Sequence, residues 1–390
     1  MSSSENPSTS LFREYLRIRT VHPDPDYDGA EEFLVRVAKD IGLESRKVKL
    51  SSGRDILVMT WQGTDPKLKS VILNSHIDVV PVYEDLWTHP PFAAHKDEAG
   101  NIYARGTQDM KCVTIQYLEA LRQLKSDGSH FPRTIHLTLV PDEETGGHTG
   151  MELFVDYPEF KDLNPGITLD EGLASPTEEF SVFYGEKCPW WITVHCRGDP
   201  GHGSLFIENA AATKLVSPHG ESDPSLSIGD VTTVNLTKLS GGILYNVVPS
   251  IMSVTFDLRV QPTLNLKEFE SRIEGWCREA GSDVTWEYHQ KCMNQNITSI
   301  DESYPWWKAF SKPCNEGLKL KPEIFPAGTD SRYIRQAGYP ALGFSPMNHT
   351  PILLHDHNEY LNEDVFLRGI HIYNKIISSL ASVPAFDEEL

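Results

Sequence analysis

The segment "SVILNSHID", residues 70–78, decides the fold class. It is an apolar run that ends in two ionisable side chains, His76 and Asp78. "TIHLTLVPDEE" at 134–144 and "GITLDEG" at 166–172 have the same form. Runs that are apolar throughout, without alternation, are typical of strands covered on both faces. Helical stretches such as "CVTIQYLEALRQL" lie between them. This alternation predicts an α/β domain with a mostly parallel sheet.

The pattern changes near Trp190, where a second kind of domain is expected. "WWITVHCRG" and "SIMSVTFDLRV" alternate apolar with polar residues, as half-exposed antiparallel strands do, and a helical stretch follows at 265–281. We therefore predict a small α+β domain at 189–301, inserted into a larger domain that comprises 11–188 and 302–390 and follows a disordered leader at 1–10.

Charge and cysteine usage narrow the class of protein. The 390 residues carry a formal net charge of -20, which repels nucleic acids and anionic membranes, so we predict neither as a partner. No apolar run is long enough to span a membrane, and the first ten residues lack the features of a secretion signal. The six cysteines form no CxxC pair, which fits a reducing cytoplasm and leaves His, Asp and Glu as metal ligands.

Histidines and carboxylates follow the predicted strands. In an open α/β sheet, groups at the carboxyl ends of strands converge on one crevice. The candidates that follow strands are His76, Asp78, Asp142, Glu143, Glu144, Asp170 and Glu171. Asp109 lies between them in a polar loop that enters a helix, and "LLHDHNEYL" near the C-terminus carries His355 and His357. So many carboxylates repel one another unless cations neutralise them. Histidine with carboxylates suits zinc, manganese or cobalt, and two ions can share one bridging carboxylate.

Each of these motifs is weak when it is taken alone. A histidine in a strand is more often a core residue, and "DEE" after a strand is often an acidic helix N-terminus. "HDH" is often only a polar turn, and spacing does not choose between His355 and His357. The specificity lies in the combination and its order along the chain.

Five motifs together resemble the metal-site motifs of the M20 metallopeptidase family. They are "SHIDVVP", "ARGTQDMK", "PDEETGG", "LDEG" and "LLHDHNE". The resemblance covers residues 11–384 and implies a zinc-exopeptidase-like catalytic domain, formed by 11–188 and 302–390, with two zinc ions per subunit. It also implies that the inserted α+β domain at 189–301 is a lid and dimerisation domain. Flanking segments such as "VNLTKLSGG" and "FLRGIHIYNK" resemble members that hydrolyse N-acyl-L-amino acids.

The resemblance also implies a role for each site residue. His76 and Glu171 would bind the first zinc, Glu144 and His355 the second, and Asp109 would bridge both. Asp78 would orient the His76 imidazole. Glu143 would be the general base, and because neighbouring side chains diverge, one glutamate can bind metal while the other reaches the attacking water.

Residues of the inserted domain are implied to contact the substrate. His202 would stabilise the oxyanion in the active site of the other subunit of a homodimer. Asn246 and Arg259 would grip the substrate's polar end, and Thr329, beside Asp330, would lie in a substrate-contacting loop. Without the resemblance, His202 and Thr329 read equally well as polar turn residues, and Arg259 as a solvated strand residue.

One segment departs from the family pattern. Near residues 212–230, "VSPHGESDPSLSIGD" has Pro, Gly and Ser where relatives continue a long lid helix. The shortened helix bears on dimerisation and on the action of His202. We expect a cytoplasmic zinc enzyme that hydrolyses N-acyl-L-amino acids to a carboxylate and a free L-amino acid. The alternatives are another M20 dipeptidase or carboxypeptidase activity, or a catalytically impaired variant that serves as an interaction protein.

Overall fold

The computed structural model describes residues 5–198, 201–202, 231–315 and 317–389. The chain forms two compact units. The larger comprises Met1–Tyr184, Thr298–Glu323 and Thr329–Leu390, and the smaller comprises Gly185–Ile297 and Ile324–Gly328. The assignment of a catalytic domain and a lid, with boundaries at residues 189 and 301, stays a prediction.

The secondary structure follows the apolar periodicity of the sequence. The α-helices of the described residues are α1 (Pro7–Leu16), α2 (Tyr27–Ile41), α3 (Lys111–Ser126), α4 (Met151–Phe154), α5 (Pro158–Lys161), α6 (Leu266–Ala280), α7 (Pro305–Asn315), α8 (Ser331–Gln336) and α9 (Glu363–Ala381). The strands are β1 (Glu44–Lys49), β2 (Asp55–Trp61), β3 (Ser70–His76), β4 (His95–Lys96), β5 (Asn101–Tyr103), β6 (Ile135–Val140), β7 (Pro165–Asp170), β8 (Glu179–Glu186), β9 (Cys188–Arg197), β10 (Gly201–His202), β11 (Thr233–Gly241), β12 (Val247–Val248), β13 (Ile251–Val260), β14 (Val284–Lys291), β15 (Lys319–Phe325), β16 (Ala341–Phe344) and β17 (Tyr360–Asn362).

The larger sheet has the strand order β1-β2-β6-β3-β7-β16-β8-β15. Its centre is parallel, because β3 pairs in parallel with β6 and β7, and β16 with β7. The predicted α/β class is thereby confirmed. The apolar run of β2 nevertheless lies antiparallel to both of its neighbours. Four consecutive residues of β2 are buried, so both faces of this strand are covered. An apolar run therefore indicates burial on both faces and does not indicate strand direction.

Helices cover both faces of this sheet. Alternate residues of a strand point to opposite faces. Val71 and Leu73 of β3 therefore enter a core with α1, α2, α3, α7 and α9, whereas Ile72 enters a second core with α4, α5 and α8. The stretch "GGHTGMELFVD" forms only the short helix α4, because positive backbone φ angles at Gly146 and Gly147 hold its first residues in turns and α4 begins at Met151.

The predicted leader ends earlier than residue 10. Helix α1 begins at Pro7, and the Asn6 side chain accepts a hydrogen bond from the Ser8 backbone N–H. Asn at the N-cap followed by Pro at the first helical position is a helix-start signal. The prediction of disorder was therefore wrong for residues 7–10, while residues 1–4 lie outside the described residues.

The smaller unit contains a four-stranded antiparallel sheet in the order β11-β13-β9-β14. Trp190 and Ile192 of β9 pack with Ile273 and Cys277 of α6. The antiparallel strands predicted from the alternating pattern are thus present. The backbone of β10 pairs with β12. The predicted helix shortening near 212–230 lies outside the described residues.

A search of the described residues finds no helix with the length and apolarity that a membrane span requires.

Candidate metal centre

The candidate ligands of the larger unit follow the ends of its central parallel strands. His76 is the last residue of β3 and lies in register with Val140 at the end of β6. The turn after β6 carries Glu143 and Glu144, and Glu171 directly follows β7. The carboxyl ends of parallel strands meet at one edge of the sheet, which brings these side chains together.

Asp109 lies between the two histidines. Its Oδ1 atom is 2.9 Å from His76 Nε2, and its Oδ2 atom is 3.2 Å from His355 Nε2. Each carboxylate oxygen therefore faces a different imidazole, as a bridging ligand of two ions would. Glu144 Oε2 is 2.9 Å from His355 Nε2, and Glu171 Oε2 is 3.6 Å from His76 Nε2.

The donor atoms are close enough together to hold cations. Among the residues that the structure describes, two sets have ligand atoms within 4.8 Å of one another: His76, Asp109 and Glu144, and His76, Glu143 and Glu171. In zinc sites each ligand atom lies about 2 Å from the ion, so neighbouring ligand atoms approach this closely. No described residue donates a hydrogen bond to the buried Glu144 Oε1 atom, and a bound cation would balance its charge. The residues present fit a site of one or two divalent ions.

Burial and mutual repulsion govern the protonation of this cluster. Burial, followed by the charge of Glu171, raises the pKa of Glu143 well above its usual range. Burial and the charge of Asp109 raise the pKa of Glu144 to about 7. The pKa of the Asp109 carboxyl is lowered, because hydrogen bonds from His355 and His76 outweigh its burial. A concentration of buried carboxylates of this kind is what bound cations stabilise.

Asp78 holds the turn that carries the two glutamates. Its carboxylate accepts the backbone N–H groups of Glu143 at 3.2 Å and Glu144 at 3.0 Å. His76 Nδ1 is 3.0 Å from the Asp78 backbone oxygen but 3.7 Å from its carboxylate. The carbonyl is therefore the closer partner that orients the His76 ring.

The structure distinguishes His355 from His357. His355, at a positive φ of 63°, has a half-exposed side chain that reaches Asp109 and Glu144. His357 instead lies edge-on to the Tyr83 ring, with ring centroids 6.2 Å apart. The two residues lie in a turn, so the extended geometry in which they would share a face does not occur.

The predicted substrate residues belong to both units. Thr329 is a buried residue of the larger unit, and its hydroxyl accepts a hydrogen bond from the Ser331 backbone N–H. Asn246 is exposed in the smaller unit. Arg259, also in the smaller unit, forms a two-point pair with Asp257 at 2.8 and 3.0 Å. The backbone of His202 lies in β10, and its side chain is outside the described residues.

Sequence reasoning missed two residues that support this centre. His22 Nε2 is 2.9 Å from Asp78 Oδ2, although nothing in its sequence context marks it. Glu359 is fully buried, and its carboxylate accepts hydrogen bonds from the loop that leads to Asp109. Glu359 stands in the motif "LLHDHNE", so its place beside a predicted ligand was a usable signal.

Comparison with known proteins gives consistent relatives over nearly the whole chain. The model of peptidase family M20/M25/M40 matches residues 72–379. Aminoacylase-1 of Mus musculus is 56% identical over 400 residues, covering 99% of this chain and 98% of the relative. Aminoacylase-1 of Dictyostelium discoideum is 46% identical over 408 residues, covering 98% and 99%.

Solved structures share the fold at low sequence identity. The YXEP protein of Bacillus subtilis, described as a dinuclear metal-binding peptidase of the M20 family, superimposes with a TM-score of 0.68 at 14% identity. The alignment covers 97% of this chain and 99% of that one.

Proposed function

Because the chain belongs to peptidase family M20/M25/M40, we propose that it is a two-zinc hydrolase that converts N-acyl-L-amino acids to a carboxylate and a free L-amino acid. Members of this family are hydrolytic enzymes, and this chain is one. The choice of substrate is supported by the 46–56% identity to Aminoacylase-1 proteins over almost the full length of both chains.

The placement of Asp109 is the observation that carries the proposed chemistry. Its two oxygens each face a different histidine, at 2.9 and 3.2 Å, which favours a dinuclear centre. His76, Asp109 and Glu171 would hold one ion, and Asp109, Glu144 and His355 the other. Zinc ions held there would polarise the acyl carbonyl and lower the pKa of the attacking water.

Glu143 is the proton carrier of the proposal. Its backbone N–H is fixed by Asp78, and its side chain is buried among the ligands. As general base it takes a proton from the attacking water, and as general acid it gives that proton to the nitrogen of the leaving amine. The adjacent Glu144 is held beside His355, so the two side chains divide the roles of base and ligand.

Several features support the proposed substrate contacts and assembly. Arg259 and Asn246 would grip the polar end of the substrate, and Thr329 would lie in a substrate-contacting loop. A guanidinium suits an α-carboxylate because it binds both oxygens at once. His202 would stabilise the oxyanion across a homodimer. The edge strand β11 exposes Val234, Leu236 and Leu239, an apolar strip of the kind that interfaces bury.

The cysteines support a cytoplasmic location. None of the six forms a disulfide in the structure, and five of them are buried. Free thiols are the usual state in a reducing compartment.

Turnover of purified protein tests this proposal against the other activities of the family. N-acetyl-L-methionine should be hydrolysed to acetate and methionine with a far higher kcat/KM than unblocked dipeptides, because the acyl group of the proposed substrates lacks the charged α-ammonium group that a dipeptide carries next to its scissile carbonyl. A preference for dipeptides would instead identify a dipeptidase or carboxypeptidase. Absence of turnover on both, in protein that holds its metal, would identify a catalytically impaired variant.

A further inference from the structure

A buried carboxylate joins the two loops that carry Asp109 and His355. We propose that Glu359 is a positioning residue of the dinuclear centre, which sets the separation of these two ligands without touching either ion. This inference deepens the proposed function and rests on it for the identity of the ligands.

Glu359 gathers the loop that leads to Asp109. Its Oε2 atom accepts hydrogen bonds from Arg105 Nη1 at 2.7 Å and from the Gly106 backbone N–H at 3.1 Å. Its Oε1 atom accepts the Gln108 backbone N–H at 2.6 Å and the Thr107 hydroxyl at 3.2 Å. The Asp109 backbone N–H also donates to Oε1, at 3.4 Å. Five consecutive residues, 105–109, thus converge on one carboxylate, and the last of them is the proposed bridging ligand.

The Gln108 side chain fastens the same loop to the segment that carries His355. Its Oε1 atom accepts the Leu353 backbone N–H at 3.0 Å. Its Nε2 group donates to the Pro351 carbonyl at 3.1 Å and to the Tyr360 carbonyl at 2.8 Å. The amide therefore holds the 351–360 segment on both sides of His355.

The small sheet of β17, β5 and β4 provides the base from which both loops extend, one after β5 and the other before β17. Tyr360 pairs with Tyr103, and Asn362 with Asn101. From this sheet, one segment runs through 105–108 to Asp109, and a second segment runs back from Glu359 to His355. Glu359 and Gln108 link the two segments at a position between the sheet and the ligands. At the ligand ends of the two segments, Asp109 Oδ2 and His355 Nε2 are 3.2 Å apart.

A dinuclear centre has a specific need for such a link. Around a zinc ion the ligand distances are fixed to within tenths of an ångström, and residues that hold the ligands typically contribute about 10- to 100-fold in metal affinity. Asp109 and His355 are separated by 246 positions in the chain. The two ligands can therefore keep a fixed separation only through contacts between their loops.

The test is metal binding by the purified full chain, measured by titration of metal-free protein with zinc against a chromophoric chelator. Glu359→Gln keeps the size of the side chain but removes its charge. It should weaken zinc binding by about 10- to 100-fold, with the larger effect on the second ion, the one His355 binds. Glu359→Asp keeps the charge and should recover part of the affinity. In cobalt-substituted protein, the visible absorption spectrum should change with Glu359→Gln, because it reports ligand geometry.

Glu119→Gln is the matched control. Glu119 is also a buried carboxylate paired with an arginine, Arg122 at 2.8 Å, and its other oxygen accepts the Ser8 hydroxyl at 2.7 Å, so both of these partners lie outside the ligand loops. The zinc affinity of the Glu119→Gln variant should equal that of the parent protein. Gln108→Met removes the hydrogen bonds of the Gln108 amide to the 351–360 segment and leaves Glu359 in place. If Glu359→Gln does not fold, the zinc affinity of Gln108→Met tests whether links between the two loops set the metal affinity.

Parent-like zinc affinity and cobalt spectra in folded Glu359→Gln and Gln108→Met would overturn the inference. Equal losses in Glu119→Gln would overturn it too, because they would trace the effect to general destabilisation. The metal titration needs no substrate, so parent protein that binds two zinc ions without hydrolysing acylated amino acids refutes the proposed activity and leaves this test intact.

Discussion

Replacing Glu143 and Glu144 in turn should separate catalysis from metal binding. Glu143→Ala is expected to lower kcat for N-acetyl-L-methionine by about 10²- to 10⁴-fold, the usual contribution of a general base, while both ions are retained. This corresponds to roughly 3–5 kcal/mol of transition-state stabilisation. Glu144→Ala should lose the second ion as well as activity. Glu144 Oε2 lies 2.9 Å from His355 Nε2, and no described residue donates a hydrogen bond to its buried Oε1 atom.

The structure does not by itself separate the roles of base and ligand between the two glutamates. Glu143 is itself within ligand distance of His76 and Glu171, so geometry also allows it to bind an ion. The assay is metal content per chain after desalting, alongside kcat and KM at saturating zinc. Glu143→Gln serves as a control of nearly equal volume. Equal metal loss in Glu143→Ala and Glu144→Ala would refute the division of roles and would favour Glu143 as a ligand.

Three further perturbations test separate features. Arg259→Ala should raise KM and reduce the preference for a free α-carboxylate over its amide by roughly 2–4 kcal/mol, and Arg259→Lys should recover part of that preference. An unchanged preference would mean that Arg259 only pairs with Asp257. Burial, followed by the charge of Arg46, lowers the pKa of His136 to about 4, so as pH falls from 6.5 to 4 the unfolded state takes up a proton that the folded state does not. The free energy of unfolding should decline by up to about 3 kcal/mol across that pH window. In urea titrations, His136→Gln should flatten the dependence of this free energy on pH. A parent-like slope in His136→Gln would contradict the assignment of the pH dependence to His136. Glu389→Gln should lower the free energy of unfolding by about 3–5 kcal/mol, because it leaves the buried Arg133 without its carboxylate partner at 2.8 Å; a change below about 1 kcal/mol would show that the backbone carbonyls around Arg133 suffice.

The parts of the site that strands place were predictable from the sequence. His76 and Glu171 lie at or directly after the ends of apolar runs, and parallel strands bring such ends to one edge. The runs report burial only, which is why the antiparallel direction of β2 did not show in its residues. Strand direction depends on how the chain reconnects, and that is a property of the whole sheet.

The parts that loops place were not predictable from local pattern. Spacing left His355 and His357 as equal candidates, and a positive φ at His355 within a turn decides between them. The contacts of His22 with Asp78 and of Glu359 with residues 105–108 join positions far apart in the chain. No single-sequence periodicity encodes such pairs, because they depend on the tertiary packing of two loops.

The most direct test of a dinuclear zinc amidohydrolase is metal content measured together with turnover on the same preparation. Purified protein should contain two zinc ions per chain and hydrolyse N-acetyl-L-methionine. Chelation should remove both the metal and the activity, and added zinc or cobalt should restore them together. Undiminished hydrolysis by protein that holds only trace metal would contradict the account.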